Sequence, residues 1–512
     1  MLLLIVLLTS LCWIIYELLL STMSSYLLWN SVLQFSLTIW FFLFWLWVGS
    51  YISKYVKNLE KSFLNVEISL ALSWAFSILL IKYAYIYLSS YELFFQLFYI
   101  LFVIFIWWLV GLEIPLIASI LDKKNKNIQE TVWDVFSWDY IWSLIWTLLF
   151  PFLLLPWLWL TFTAFSVWII NLAVALSFIV YINSKAKNTF WISQFIKILV
   201  SLLIIIIWGL YTKSHLESLW DHFFYKEPIL HSSHSQYQKI VVTKRWDDIR
   251  LYLNWHLQFL SLDENRYHTS LTYFWKKYIN SFTGNNLNIL ILWWWDGLAT
   301  RNLIDDIKWF KNDSKWWKLN WKITLVDLDP EITKLAQTND ILLKLNKNSL
   351  NNPNVEVIND DAFKFIKNTK KKYNIIIADF PDPRNIEISK LYSKEFYSMI
   401  LNILTDKAVF TTQSSSAFFS KEAFWCVNKT MKWLVWSWFQ IISHHTYIPS
   451  FWDWGFNTYL KNISFSWNNT DWLVQFTFDK DYKVDLDNLE INTLENPNII
   501  SYYMIWRKRY SN

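Results

Sequence analysis

Apolar stretches of about 20 residues recur through residues 1–212, and nothing else in the chain constrains the fold as strongly, because a helix of that length crosses the hydrocarbon core of a bilayer. They lie near residues 1–20, 28–50, 66–88, 93–120, 140–161, 163–182 and 195–211, which predicts a polytopic α-helical membrane bundle over 1–212. The first run starts at Met1 without a basic leader or a small-residue cleavage site and contains Glu17, so it reads as a span and not as a signal peptide. Lys54, Lys57 and Lys61 follow the second run, Lys123, Lys124 and Lys126 the fourth, and Lys185 and Lys187 the sixth. The positive-inside rule places these three loops in the cytoplasm. Seven full crossings would leave the rest of the chain outside; the short run 195–211, with Lys197 in its first turn, is the segment suspected of not crossing. Glu17 and Glu113 sit in apolar surroundings, where an ionisable group is functional by default; a place at the interface or at a helix break stays open beside that reading.

Beyond residue 225 the pattern changes. Short β-like runs such as Lys239-Ile240-Val241-Val242-Thr243 and Leu251-Tyr252-Leu253-Asn254 predict a small antiparallel β-domain over 225–260. After Gly284, strands at Ile289 to Leu292, Ile323 to Val326, Val355 to Ile358 and Ile375 to Ala378 alternate with helices starting near 297, 330 and 361. That alternation predicts an α/β Rossmann-like, methyltransferase-type parallel sheet over 261–490, with 491–512 as a polar tail. Cys12 and Cys426 are the only cysteines and are far apart, so neither a disulfide framework nor a thiolate metal site is available. The net charge of +5 comes from scattered lysines, which gives nucleic-acid binding no support.

Residues 293–297, directly after the strand Leu287-Asn288-Ile289-Leu290-Ile291-Leu292, read Trp-Trp-Trp-Asp-Gly. A strand that runs into a ligand-binding turn calls for glycine, because the backbone turns sharply and approaches the ligand with no Cβ in the way. The chain holds 37 Trp and 6 Gly. About 7% Gly, roughly 36 residues, is ordinary for this length. The expectation is that most of these tryptophans are glycines of the natural protein, since UGA is read as Trp in some genetic codes and as Gly in others. Asp327 ends the second strand about 30 residues beyond this turn, where an acid accepts hydrogen bonds from a ribose diol. Asp329, before Pro330, is placed to cap the next helix.

Read with glycine at 293–295, the turn becomes G-G-G-D-G and the C-terminal half resembles the polyamine aminopropyltransferase (spermidine synthase) family. The resemblance continues in order through Tyr237-Gln238, Asp263-Glu264, Tyr267-His268, Val326-Asp327-Leu328-Asp329-Pro330 and Asp360-Asp361-Ala362. It ends in Ala378-Asp379-Phe380-Pro381-Asp382-Pro383, Leu391-Tyr392-Ser393 and the run from Pro449 to Phe456. The N-terminal third is similar to the membrane-embedded branch of that family, in Glu17, in Ser31-Val32-Leu33-Gln34-Phe35-Ser36 and in Gly111-Leu112-Glu113-Ile114-Pro115-Leu116.

The resemblance implies transfer of an aminopropyl group from decarboxylated S-adenosylmethionine to putrescine, giving spermidine and methylthioadenosine, with no metal and no cofactor beyond that co-substrate. It implies that Asp379 is the base, because an amine protonated at neutral pH must lose a proton before it attacks carbon. It further implies that Asp382, Asp296, His268 and Trp454 bind amine, and that Gln238, Asp327, Asp361, Ala362, Gly297 and the turn at Trp293, Trp294 and Trp295 bind the nucleoside. Trp454 is the tryptophan expected to be genuine. Thr269 departs from the Glu usual after Tyr-His, and Phe380-Pro381 follows the membrane branch. His444 and His445, two of eight histidines in no repeated ligand spacing, are expected to be structural or to line the substrate. The family's substrates imply a cytoplasmic catalytic domain on a multi-pass membrane anchor; the oligomeric state stays open. Two competing readings are an S-adenosylmethionine-dependent methyltransferase on the same sheet and a polyamine transporter or sensor with a ligand-binding soluble domain.

Overall fold

The computed structural model describes residues 2–27, 31–88, 91–125, 128–183, 190–254, 256–279, 286–293, 295–311, 319–435, 439–465 and 473–510. The chain divides into two compact units, Met1–Lys226 and Glu227–Asn512.

The first unit is all helix: α1 Leu2–Leu27, α2 Ser31–Ser53, α3 Leu59–Leu88, α4 Glu92–Asn125, α5 Ile128–Leu149, α6 Leu155–Asn183 and α7 Phe190–Tyr225. Among the described residues, five helical stretches are long and apolar enough to cross a membrane: Leu4–Ser25, Gln34–Ser53, Leu59–Leu88, Leu93–Lys123 and Trp133–Leu154. Shorter apolar stretches occupy Ser166–Ile182 and Ile192–Trp208. The expected runs 140–161 and 163–182 meet the structure differently. The irregularity falls earlier, as a π-helical turn at Phe150–Leu154, where Pro151 has no N–H to donate and its ring crowds the preceding turn. The last expected run, 195–211, belongs to the 36-residue helix α7. Helices α2 and α4 touch backbone to backbone: a Cβ on Gly49 would lie 2.5 Å from the Gly111 carbonyl carbon, and one on Gly111 would lie 2.5 Å from the Trp45 oxygen. Large apolar side chains, among them Leu43, Trp47, Trp133, Tyr140 and Leu144, project outward, which suits helices surrounded by an apolar medium.

The second unit begins with a four-stranded antiparallel sheet in the order β1 Ile229–His234, β2 Lys239–Arg245, β3 Asp248–Leu253, β4 His256–Leu260. The main sheet has seven strands: β5 Asn286–Leu292, β6 Asn320–Asp327, β7 Val355–Asn359, β8 Tyr373–Ala378, β9 Leu404–Gln413, β10 Phe439–Ile448 and β11 Trp452–Lys461. Their order is β10-β11-β9-β8-β5-β6-β7. Strands β5 to β9 pair in parallel, and β11 and β10 are added antiparallel at one edge. The central parallel strand β5 is almost wholly apolar because helices cover both faces; Ile289, Leu290, Ile291 and Leu292 are all fully buried. The chain crosses between β5 and β8 at the point where strand order reverses, and an open α/β sheet forms its ligand crevice there. Residues 498–510, expected within a polar tail, instead form a helix, Asn498–Tyr510, that buries Ile499 and Tyr503.

Among the described residues, three tryptophans occupy left-handed backbone: Trp246 at φ +58°, Trp293 at +69° and Trp452 at +62°. Trp246 begins the two-residue link between β2 and β3, whose last ladder pair is Arg245 with Asp248. A tight hairpin places glycine at that first position because its Cβ would otherwise meet the following carbonyl. Trp452 follows the link 449–451 and pairs with Ile448, where a three-residue hairpin also uses a left-handed residue. Both rings are largely exposed, at 88% for Trp246 and 60% for Trp452, so little packing compensates the strain. We therefore expect Trp246→Gly and Trp452→Gly each to stabilise the chain by about 1 kcal/mol, the order of the left-handed penalty for a residue with a side chain. Denaturant unfolding of the second unit within the full chain checks this, and destabilisation by either change would contradict the strain argument.

Candidate active site

Carboxylates collect where the parallel strands end. Ala378, the last residue of β8, pairs with Leu292 of β5, and the Asp379 amide donates to the Leu292 carbonyl at 3.2 Å. Asp379 thereby sits across the crevice from the turn carrying Asp296, and the Asp296 and Asp382 charges both act on it. It is 6% exposed and accepts a hydrogen bond from the Tyr267 hydroxyl. Its second oxygen has no protein partner. Burial pushes the Asp379 carboxyl well above the usual aspartate range; the Tyr267 hydrogen bond acts against that rise, and Asp296 and Asp382 add to it.

Asp296 is 4% exposed and accepts from the Leu298 amide at 2.7 Å, holding the start of the helix Leu298–Lys311. Burial raises it to about 6. Gly297 beside it stands at φ +80°, and a Cβ there would lie 2.7 Å from the Ser349 hydroxyl oxygen. That hydroxyl donates to the Gly297 carbonyl at 2.7 Å, and the Asn346 amide donates to the Asp296 carbonyl at 2.9 Å. The turn is thus fixed from the segment 346–349. Trp293 is half-buried, edge-on to Phe380 at 6.4 Å. Trp295, expected to meet the nucleoside, is 5% exposed within the hydrophobic core. An indole is too large and apolar to remain at a solvated turn, and packing claims it. Trp294 lies outside the described residues.

Asp327 ends β6, is 3% exposed and accepts from the Asp329 amide at 2.8 Å; its other oxygen has no protein partner. Burial raises it to about 7. Asp329 caps the helix Pro330–Thr338, accepting from the Glu331 amide at 3.1 Å. Its second oxygen accepts from the Ser235 hydroxyl and, at 2.9 Å, from the Gln238 amide. Gln238 accordingly reaches the end of β6 from the link between β1 and β2, two residues from Asp327. Asp361 caps the helix Ala362–Asn368 and meets Lys390 at 2.9 Å. Partial burial raises its carboxyl, and the Lys390 hydrogen bond and charge together with the Lys364 and Phe363 amides outweigh this and leave it below the usual range. Ala362 is buried directly after it.

Asp382 accepts from the Ser415 hydroxyl at 2.7 Å and the Tyr503 hydroxyl at 2.9 Å, with the Arg384 guanidinium 3.6 Å away. The connecting loop is fixed by the Tyr392 hydroxyl, which donates to the Phe380 and Pro381 carbonyls, and by the Gln413 amide, which also reaches the Phe380 carbonyl. His268 is buried on the helix Glu264–Leu271, with Nδ1 2.7 Å from Glu264, and Arg301 reaches the same carboxylate at 2.9 Å. Trp454 is half-buried, its ring against Tyr267 and Phe451. His444 is fully buried, its Nε2 3.0 Å from the Ser270 carbonyl, and burial lowers it to about 3. His445 pairs with Asp453 at 2.6 Å.

Asp296, Asp379 and Asp382 therefore share one crevice, with Tyr267 beside Asp379, Trp454 against Tyr267, and Asp327 and Gln238 at the next strand end. Sequence reasoning gave no role to Ser415, Tyr503 or Arg384. Their partner Asp382 lies 33, 121 and 2 residues away in the chain, and only Arg384 is near enough to have been suspected. We expect Tyr267→Phe to raise the Asp379 carboxyl further, because the lost hydroxyl stabilises its ionised form. A charge-assisted hydrogen bond of about 1.5–3 kcal/mol corresponds to roughly one to two pH units. The protonated carboxyl stretch, assigned by its loss in Asp379→Asn, reports the shift by infrared titration; an unchanged midpoint would show that the hydroxyl does not hold Asp379.

A family model described as "Spermine/spermidine synthase domain" matches residues 274–469. The chain is 36% identical to a polyamine aminopropyltransferase of Leptospira interrogans, with 97% of each chain covered. It is 33% identical to a polyamine aminopropyltransferase of Oceanobacillus iheyensis, over 96% of this chain and 95% of that one. It is 34% identical to polyamine aminopropyltransferase 1 of Streptomyces coelicolor, over 89% and 83%.

Proposed function

This chain belongs to the polyamine aminopropyltransferase family, and from that premise we propose how its residues carry out aminopropyl transfer in polyamine biosynthesis. Asp379 is the general base. The carrying observation is its position: a buried carboxyl at the end of β8, at the point of strand-order reversal, with one oxygen held by Tyr267 and the other open. Raised by burial, it takes a proton more readily than an ordinary aspartate. The freed nitrogen of the diamine attacks the methylene next to the sulfonium of decarboxylated S-adenosylmethionine. A C–N bond forms, the C–S bond breaks with its electron pair going to sulfur, and the amine proton passes to Asp379. The products are spermidine and methylthioadenosine when the acceptor is putrescine.

Asp296 holds the amino end of the donor and Asp382 the distant ammonium of the acceptor. Each oxygen of Asp382 keeps a lone pair beyond the one used by Ser415 or Tyr503. His268 and Trp454 line the diamine. Asp327, with an open oxygen, receives the ribose hydroxyls, and Gln238, Asp361 and Ala362 surround the rest of the nucleoside. Incubation of purified protein with decarboxylated S-adenosylmethionine and a panel of diamines tests the reading; methylated amines formed from S-adenosylmethionine would favour the methyltransferase alternative.

The 37 tryptophans are read as glycines in the main. Left-handed backbone at Trp246, Trp293 and Trp452 supports this, since glycine adopts it without strain. Peptide mass spectrometry of the native protein is expected to show Gly at 255, 293, 294, 295 and 452, encoded by UGA, and Trp at 454, encoded by UGG. Of these, 255 and 294 lie outside the described residues. UGG codons at 293–295 would refute the recoding.

The first unit anchors the enzyme in the cell membrane as a multi-pass bundle, with the catalytic unit in the cytoplasm where its substrates are. Reporter fusions after residues 125, 188 and 230 are expected to give a cytoplasmic signal at 230, and an external signal there would overturn the placement.

In the glycine-restored protein, Asp379→Asn is expected to lower kcat by about 10²- to 10⁴-fold with little change in nucleoside binding. Asp327→Asn acts oppositely. It is expected to weaken methylthioadenosine binding by about 10- to 100-fold, the loss of charge-assisted hydrogen bonds, with little effect on kcat. Because Asp327 accepts best when ionised, wild-type binding is expected to tighten as pH rises through about 7 and that of Asp327→Asn to stay flat. Near-normal turnover in Asp379→Asn would move the base to Asp382 or a water it holds.

A further inference from the structure

The helical unit buries acids of its own. Glu67 of α3 is completely inaccessible, and its carboxyl meets that of Glu113 with no cation among the described residues acting on it. Glu113 of α4 is 2% exposed, keeps one oxygen without a donor, and shares a carboxyl–carboxyl hydrogen bond with Glu67. Both acids also act on Cys12 and Tyr16, one turn apart on α1. The Cys12 sulfur lies 3.9 Å from the Val167 carbonyl of α6. One turn beyond Val167, on the same face, stands Asn171, which is 1% exposed and has neither amide atom hydrogen-bonded. Four helices thus direct polar groups into one interior.

An unpaired carboxylate in such surroundings costs several kcal/mol, and an unpaired amide adds to that. Neighbouring apolar residues could have filled the space at no such cost. The missing partner is one that brings positive charge and several N–H donors together, because one proton shared between the two carboxyls leaves further acceptors open on them, beside the Asn171 carbonyl. A primary ammonium has three such donors, and the adjoining Tyr16 ring adds a face that attracts cations.

We propose that Glu67, Glu113 and Asn171 form a second amine site, within the helical bundle, that takes the ammonium end of an aliphatic di- or polyamine. The ligand class rests on the amine chemistry assigned to the soluble unit. The site itself rests on the buried open acceptors.

Equilibrium dialysis of labelled putrescine and spermidine against the full-length protein in detergent tests it, in a background carrying Asp296→Asn, Asp379→Asn and Asp382→Asn so that the soluble site is disabled. Retained binding of one amine per chain is expected, weakened at least tenfold by Glu67→Gln and by Glu113→Gln and measurably by Asn171→Ala. With Asp296, Asp379 and Asp382 intact, Glu67→Gln is expected to keep the kcat of aminopropyl transfer, which shows that the chain is folded. No amine bound in the disabled background, or binding indifferent to Glu67→Gln and Glu113→Gln together, would overturn the proposal. So would carboxyl bands that respond to pH alone and not to added amine, which would assign the pair to proton binding. Amine bound at this site by a protein that forms no aminopropyl product would instead count against the reading of the soluble unit and leave this one standing.

Discussion

The soluble unit depends on the parallel pairing of β5 with β8. Register Leu292 with Ala378 brings the turn after one strand and the loop after the other to a single crevice, so Asp296 and Asp379 meet although 83 positions separate them in the numbering. Everything else in the site serves that juxtaposition. The segment 346–349 fixes the Asp296 turn, Tyr392 and Gln413 fix the loop after β8, and Tyr267 fixes the Asp379 carboxyl itself. Burial then raises Asp296, Asp327 and Asp379 together. Carboxyls in that condition favour a cationic partner, whose charge replaces the water they have lost.

The helical unit buries acids in the same way. Its outward faces carry Trp, Leu and Phe, its helices α2 and α4 meet through Gly49 and Gly111, and its interior still retains Glu67, Glu113 and Asn171. Such groups are costly enough that a purely structural bundle would discard them. Both halves of the chain therefore hold acids that lack a positive partner, and the amine chemistry of the soluble half is a common explanation.

Much of this was legible in the chain. Apolar length announced the helices, the β/α alternation announced the sheet, and each acidic motif fell at a strand end because a parallel sheet exposes its carboxyl ends to one side. Asp329 could be assigned to a cap, since Pro330 suits the first turn of a helix and the carboxylate before it accepts from the Glu331 amide. The π turn at Phe150–Leu154 was not foreseen, because apolar runs on either side of Pro151 look continuous by composition. Strands β9 to β11 carry too many polar residues to stand out, and the helix Asn498–Tyr510 reads as a tail, since among its described side chains only Ile499 and Tyr503 are deeply buried.

Sequence alone determined which residues carry charge at strand ends, which stretches are long and apolar enough to cross a membrane, and that the chain holds 37 tryptophans against 6 glycines. Those are properties of composition and local period. Tertiary structure alone decided that Ser415 and Tyr503 hold Asp382, that Gln238 reaches Asp329, that Trp295 is core while Trp293 is strained, and that Glu67 faces Glu113. Each of these rests on segments brought together by sheet pairing or helix packing, and the distance along the chain carries no trace of it.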